Sequence, residues 1–79
     1  MKQKTFKIGE YCYGGIVKVI IQKTIFEINI IDYFNNTVLD THTFYVNEDM
    51  NVVCAYLEQF TTSFHAEKIT DYIIHHLSN

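Results

Sequence analysis

The chain has no arginine, no proline and no tryptophan, and only three glycines and two cysteines among 79 residues. Each shortage excludes something. Arginine supplies most bidentate contacts to guanine and phosphate, and nucleic-acid binders carry a basic stripe. Six lysines against nine acidic residues, for a net charge of −3, leave no such stripe, so no nucleic-acid partner is expected. Lys2, Lys4 and Lys7 crowd the N-terminus, where they read as a frayed, solvated end. The His65-Ala66-Glu67 triplet fits the first half of a zinc-deaminase signature. The second half, Pro-Cys-x-x-Cys, is impossible without proline.

Cys12 and Cys54 are too few for a disulfide scaffold. Cys54 lies on an apolar helical stripe, and both thiols read as small core residues. No Cys-x-x-Cys and no His-x-x-x-His pair occurs. His75 and His76 are neighbours and point about 100° apart on a helix. His65 lies about 15 Å from His75 by helical rise, and His42 falls on a strand-like run. No metal, no cofactor and no catalytic residue are therefore expected. The paired histidines read as cations that complement a helix C-terminus. Gly9 and Gly14-Gly15 lie between strand-like runs and not between strand and helix, which excludes a phosphate loop. No apolar run reaches transmembrane length, and Met1–Lys7 lacks the apolar segment of a secretory signal. A soluble cytoplasmic protein without a membrane partner is the expectation.

What the chain does have is apolar alternation. It is 48% hydrophobic and 15% aromatic, too rich for a disordered segment. Its length sets one domain, residues 1–79, near the lower limit for an independent core, so that oligomerisation would stabilise it. The clearest stretch is Ile16–Asp32, two β-branched runs around Lys23-Thr24, which is a hairpin signal. A two-residue loop sets Ile21 opposite Phe26, Val19 opposite Ile28 and Val17 opposite Ile30. Opposed residues share a side, so one side is wholly apolar and must be core.

Before the hairpin, Phe6–Tyr13 reads as a strand that turns at Gly14-Gly15. This sets Tyr13 opposite Ile16, Cys12 opposite Val17 and Ile8 opposite Ile21. Glu10 is a misfit on the core side, and Gly9 marks a bulge that could turn it outward. After the hairpin, Asn35-Asn36 is a turn, which accounts for an Asn-x-Thr sequon better than glycosylation does. A fourth strand, Thr37–Val46, has two registers. One puts Leu39, Thr41, Thr43 and Tyr45 on the core side. The other puts Val38, Asp40, His42 and Phe44 there. The first is preferred because it buries no charge.

From Asn47 the period becomes helical. Asn47 is the expected cap, with Glu48 and Asp49 in the first turn. Met50, Val53, Cys54, Leu57, Phe60 and Phe64 form an apolar stripe, with a first helix over 48–60. Thr61–Ser63 breaks it. A second helix over 64–77 buries Ala66, Ile69, Tyr72, Ile73, His76 and Leu77. Four strands then two helices make an α+β fold: a four-stranded antiparallel β-meander followed by two C-terminal α-helices packed on one sheet face.

Helices on one face leave the other bare. It gathers Tyr11, Tyr13, Ile16, Ile20, Ile25, Ile31, Tyr33, Val38 and Phe44 around Lys18, Glu27 and Asn29. Aromatics and aliphatics rimmed by a few charges are typical of a partner surface. The leading expectation is a small non-enzymatic protein-interaction module. It would self-associate, as a homodimer, through the outer sheet face or an edge strand. Two alternatives stand beside it. One is a phage- or plasmid-type accessory protein that inhibits a host protein, an analogy of size and layout only. The other is a small ligand-binding protein or enzyme with a pocket between sheet and helices, using Glu10 or Asp40 with His42.

Overall fold

A computed structural model describes residues 2–8 and 15–77. Its elements are β1 (Lys2–Lys7), β2 (Gly15–Ile21), β3 (Ile25–Asp32), β4 (Val38–Tyr45), α1 (Met50–Leu57) and α2 (Ser63–Leu77). The strands form one antiparallel sheet in chain order, β1-β2-β3-β4. The α+β meander with two following helices is thus the fold the chain adopts.

The β2–β3 hairpin has the register its alternation demands. Val17 opposes Ile30, Val19 opposes Ile28 and Ile21 opposes Phe26. All six side chains are buried. Each contributes about 1.5–3 kcal/mol by leaving water, and a one-residue slip would expose one strand's whole set. The Gln22 N–H donates to the Ile25 carbonyl at 2.9 Å and closes the turn.

β1 departs from expectation. Phe6, not Cys12, opposes Val17, and Lys2, not Ile8, opposes Ile21. The shift is six residues, an even number, so Phe6 and Ile8 stay on the helix side. Ile8 is 2% exposed and the Phe6 ring meets Tyr72 edge-on at 5.5 Å. The cause lies at Gly15. It takes φ 89° as the first residue of β2, and its carbonyl accepts the Ile8 N–H at 2.8 Å. The ladder therefore starts at Ile8 and Gly15, and Ile16 opposes Lys7 in place of Tyr13. Expectations for Gly9, Glu10, Tyr11, Cys12, Tyr13 and Gly14 lie outside the described residues. Lys2, Lys4 and Lys7 are strand residues and not a frayed end.

β4 takes the register with Asp40, His42 and Phe44 on the helix side, opposite Ile30, Ile28 and Phe26. The preferred alternative, with Leu39, Thr41, Thr43 and Tyr45 inside, is wrong. Two features set the outcome. The Asp32 carboxylate Oδ1 accepts the N–H groups of Phe34 (2.8 Å) and Asn35 (3.1 Å), and Asn36 turns left-handed at φ 56°. This builds a longer turn than Asn-Asn alone. A bulge between the Ile30 and Ile31 pairs then makes Leu39 the extra residue and returns Val38 to the outer side, opposite Ile31. The objection to burying charge does not apply. Of this strand only Phe44 is buried, and Asp40 and His42 remain exposed.

α1 is shorter than 48–60 at both ends. Its cap is Asp49, whose carboxylate accepts the Asn51 N–H at 2.9 Å, and not Asn47. The Thr62 hydroxyl accepts the His65 N–H at 3.3 Å and caps α2 after the expected break. Val53 and Leu57 from α1, and Ala66, Ile69 and Ile73 from α2, join the inward strand residues in one core. Phe64 does not continue the α1 stripe. It is 64% exposed, because the break at Thr61–Ser63 resets the helical phase. Thr70, absent from the expected stripe, is buried and donates its hydroxyl to the Ala66 carbonyl at 2.7 Å.

Candidate interaction surface

Opposed residues share a side, so the outer side of the sheet follows from the register. Ile16 and Ile31 sit side by side with Lys7 and Val38 at the flanks. Next come Lys18 and Asn29 with Thr5 and Thr41, then Ile20 and Glu27 with Gln3 and Thr43. Ile25 and Tyr45 close the array. The central polar row is wired together. The Thr41 hydroxyl donates to Asn29 Oδ1 at 2.7 Å, and Asn29 Nδ2 donates to Glu27 Oε2 at 3.2 Å.

Ile16, Ile20, Ile25 and Ile31 therefore lie on one side, all half-buried by their neighbours in the sheet. Tyr33, on the β3–β4 turn, meets Phe34 edge-on at 5.3 Å, and both are exposed. Phe44 does not belong to this surface. It is 3% exposed and stacks on Phe26 at 5.3 Å within the core. Its assignment outward failed with the β4 register. The same error hid Tyr45, which lies outward and is 71% exposed. Tyr11 and Tyr13 lie outside the described residues.

Beside this surface runs the free edge of β4. The Val46 N–H donates to the Thr24 carbonyl. In an antiparallel ladder alternate residues turn both backbone groups to the same neighbour. Phe44, His42 and Asp40 therefore bond β3, while Thr43 and Thr41 turn their N–H and C=O groups away from the sheet and the Tyr45 carbonyl accepts the Glu48 N–H at 3.0 Å.

On the helix side of β4, Asp40 and His42 come together with Tyr56 of α1. The Tyr56 hydroxyl donates to the Asp40 carboxylate, and its ring lies 5.0 Å from His42. Burial, then the hydrogen bond and charge of Asp40, push the Tyr56 hydroxyl far above its ordinary value. It stays a donor and is no base at ordinary pH. A depression of about 320 Å³ lies elsewhere, where Lys2, Ile21, Lys23 and Val46 meet His76 and Leu77. Neither Asp40 nor His42 lines it. Burial, then Lys2, His75 and Lys4, hold His76 below the ordinary histidine value, and its Nδ1 is buried without a hydrogen bond. His76 is thus disfavoured as the cation expected at the C-terminal turn of α2.

Among the described residues no group of three or more His, Cys, Asp or Glu is placed to hold a metal ion. Cys54 is partly buried against the core. No helix among them is long and apolar enough to cross a membrane. Compared with known proteins, the chain matches no family model, no curated protein and no solved structure.

Proposed function

We propose that the chain is a non-enzymatic protein-interaction module that associates with its own copy through the bare side of its sheet and the edge that borders it. The observation that carries this reading is the one-sided helix layer. Both helices share a core with the inward strand residues, and among the described residues no element lies over Ile16, Ile20, Ile25, Ile31, Val38 and Tyr45. A short chain gains most from covering such a surface by association. The test replaces Ile20 and Ile31 by Lys together. The expected product keeps its circular dichroism spectrum and runs as a monomer by light scattering at concentrations where the parent chain is assembled. Unfolding would make these residues structural and sink the proposal; unchanged assembly would overturn contact through the bare side and leave the bordering edge as the contact.

A second reading rests on the meeting of Asp40, His42 and Tyr56. It is a small-ligand site at the open end of the sheet–helix layer, tested by metabolite thermal shifts that vanish in His42→Ala.

A further inference from the structure

The interaction reading says that the chain meets its own copy; the geometry of β4 says how, and rests on that reading. We propose that two β4 strands pair antiparallel about a twofold axis at Thr41, with Asp40 of each copy opposite His42 of the other. The two sheets become one, with β4 at the seam.

The two sheet edges differ in their guards. β4 carries no lysine and no proline, and its one charged residue, Asp40, turns to the helix side and is bonded by Tyr56. Sheet edges are ordinarily guarded by lysine, proline or inward charge against pairing with another chain. β1, the opposite edge, has three lysines in six residues. β4 keeps only the bulge at Leu39 and the Asp40 charge, which Tyr56 holds, so beyond the bulge it is the less guarded edge and the strand open to pairing.

Parity limits the registers that two β4 strands can take. A new ladder must use the outward backbone groups of Thr41 and Thr43, because the Tyr45 carbonyl already accepts the Glu48 N–H at 3.0 Å. It ends at the Leu39 bulge, because Val38 lies on the outer side while Phe44 lies on the helix side. Two strands using such groups oppose residues of the same parity, and opposed residues share a side of the sheet. The helices of both copies then lie on one side, and the bare sides form one continuous surface. Centring the pair on Thr43 leaves Asp40 opposite the apolar Val46. Centring it on His42 sets histidine against histidine. Centring it on Thr41 sets each Asp40 against the other copy's His42, two cross-strand pairs that become opposite charges when His42 is protonated. The other neighbours of His42 are Ile28 across β3, Phe44 and Asp40 on its own strand and Tyr56 of α1; its own Asp40, held by Tyr56, is the one charged group among them.

Thr43→Pro is the decisive variant. The Thr43 N–H faces away from β3, so proline removes a donor that the single copy does not use. Light scattering over a concentration series, with circular dichroism, should show a folded chain whose dimer dissociates at about tenfold or more higher concentration. Asp40→Lys and His42→Asp should each weaken the dimer, and the double charge swap should restore it. This second comparison holds even if the proline variant fails to fold. A parent chain that stays monomeric overturns the proposal. So does a double swap no better than the single changes. If a folded Thr43→Pro chain dimerises normally while Ile20→Lys with Ile31→Lys does not, the interaction reading stands and β4 pairing is wrong. If neither changes the assembly, both fall.

Discussion

The two edges of the sheet are built on opposite plans. β1 is basic, and Phe6 against Tyr72 ties it to the end of α2, where Lys2 and Lys4 disfavour a charge on His76. β4 is nearly uncharged and is tied to α1 through Asp40 and Tyr56, with Phe44 and His42 against the same tyrosine ring. The first edge repels a further strand by charge. The second presents its backbone. The same antiparallel ladder thus carries a lysine-guarded edge and a nearly uncharged one interrupted by a bulge.

Several variants test that contrast. Phe44→Ala should cost about 3–5 kcal/mol, because the ring is fully packed against Phe26 and Tyr56. The matching Phe6→Ala should cost less, since Phe6 is only partly buried. Urea unfolding of both compares how firmly each edge is held. Tyr56→Phe should lose about 0.5–1.5 kcal/mol, the hydrogen bond to Asp40. It should also remove an alkaline weakness. A tyrosine whose folded value is raised lends stability that is complete below the ordinary value of 10.0 and fades as pH climbs above it. Melting temperatures from pH 9 to 11 should fall less steeply in the variant.

Replacing Lys2, Lys4 and Lys7 by Thr should open the guarded edge and raise the average mass at high concentration while leaving the melting temperature nearly unchanged. The β1 edge should weaken toward acid. His76 is held low, so its contribution is present above the ordinary histidine value of 6.5 and is lost as pH falls below it. Lys2→Gln with Lys4→Gln should flatten that acid slope, read as melting temperature between pH 5 and 7.

The parts legible from residues alone were those that a face pattern over-determines. Val17, Val19, Ile21, Phe26, Ile28 and Ile30 leave the central hairpin one register that buries them all. The helical period likewise marked Val53, Leu57, Ala66, Ile69 and Ile73. The edges had no such constraint. β1 could slide by six residues without changing which side Phe6 and Ile8 occupy, and a glycine pair was a stronger turn signal than a single Gly15 at the start of β2. β4 was misassigned by a rule about buried charge that does not apply where the helix layer stops short. At the candidate surface, Ile16, Ile20, Ile25 and Ile31 were legible because they belong to the hairpin. Phe44 and Tyr45 exchanged places because they depend on a bulge at Leu39 and an Asp32-built turn. Neither leaves a mark in apolar periodicity.

The contact between Phe6 and Tyr72 has a kinetic consequence. Strands adjacent in sequence pair across short connections, so the meander closes with little loop entropy. Joining β1 to the end of α2 instead closes a loop that spans most of the chain. That junction should form last as the chain folds and open first when it breathes. In amide hydrogen exchange, β1 and the last turn of α2 should lose protection together, as a single subglobal unit, while the β2–β3 hairpin exchanges only through complete unfolding.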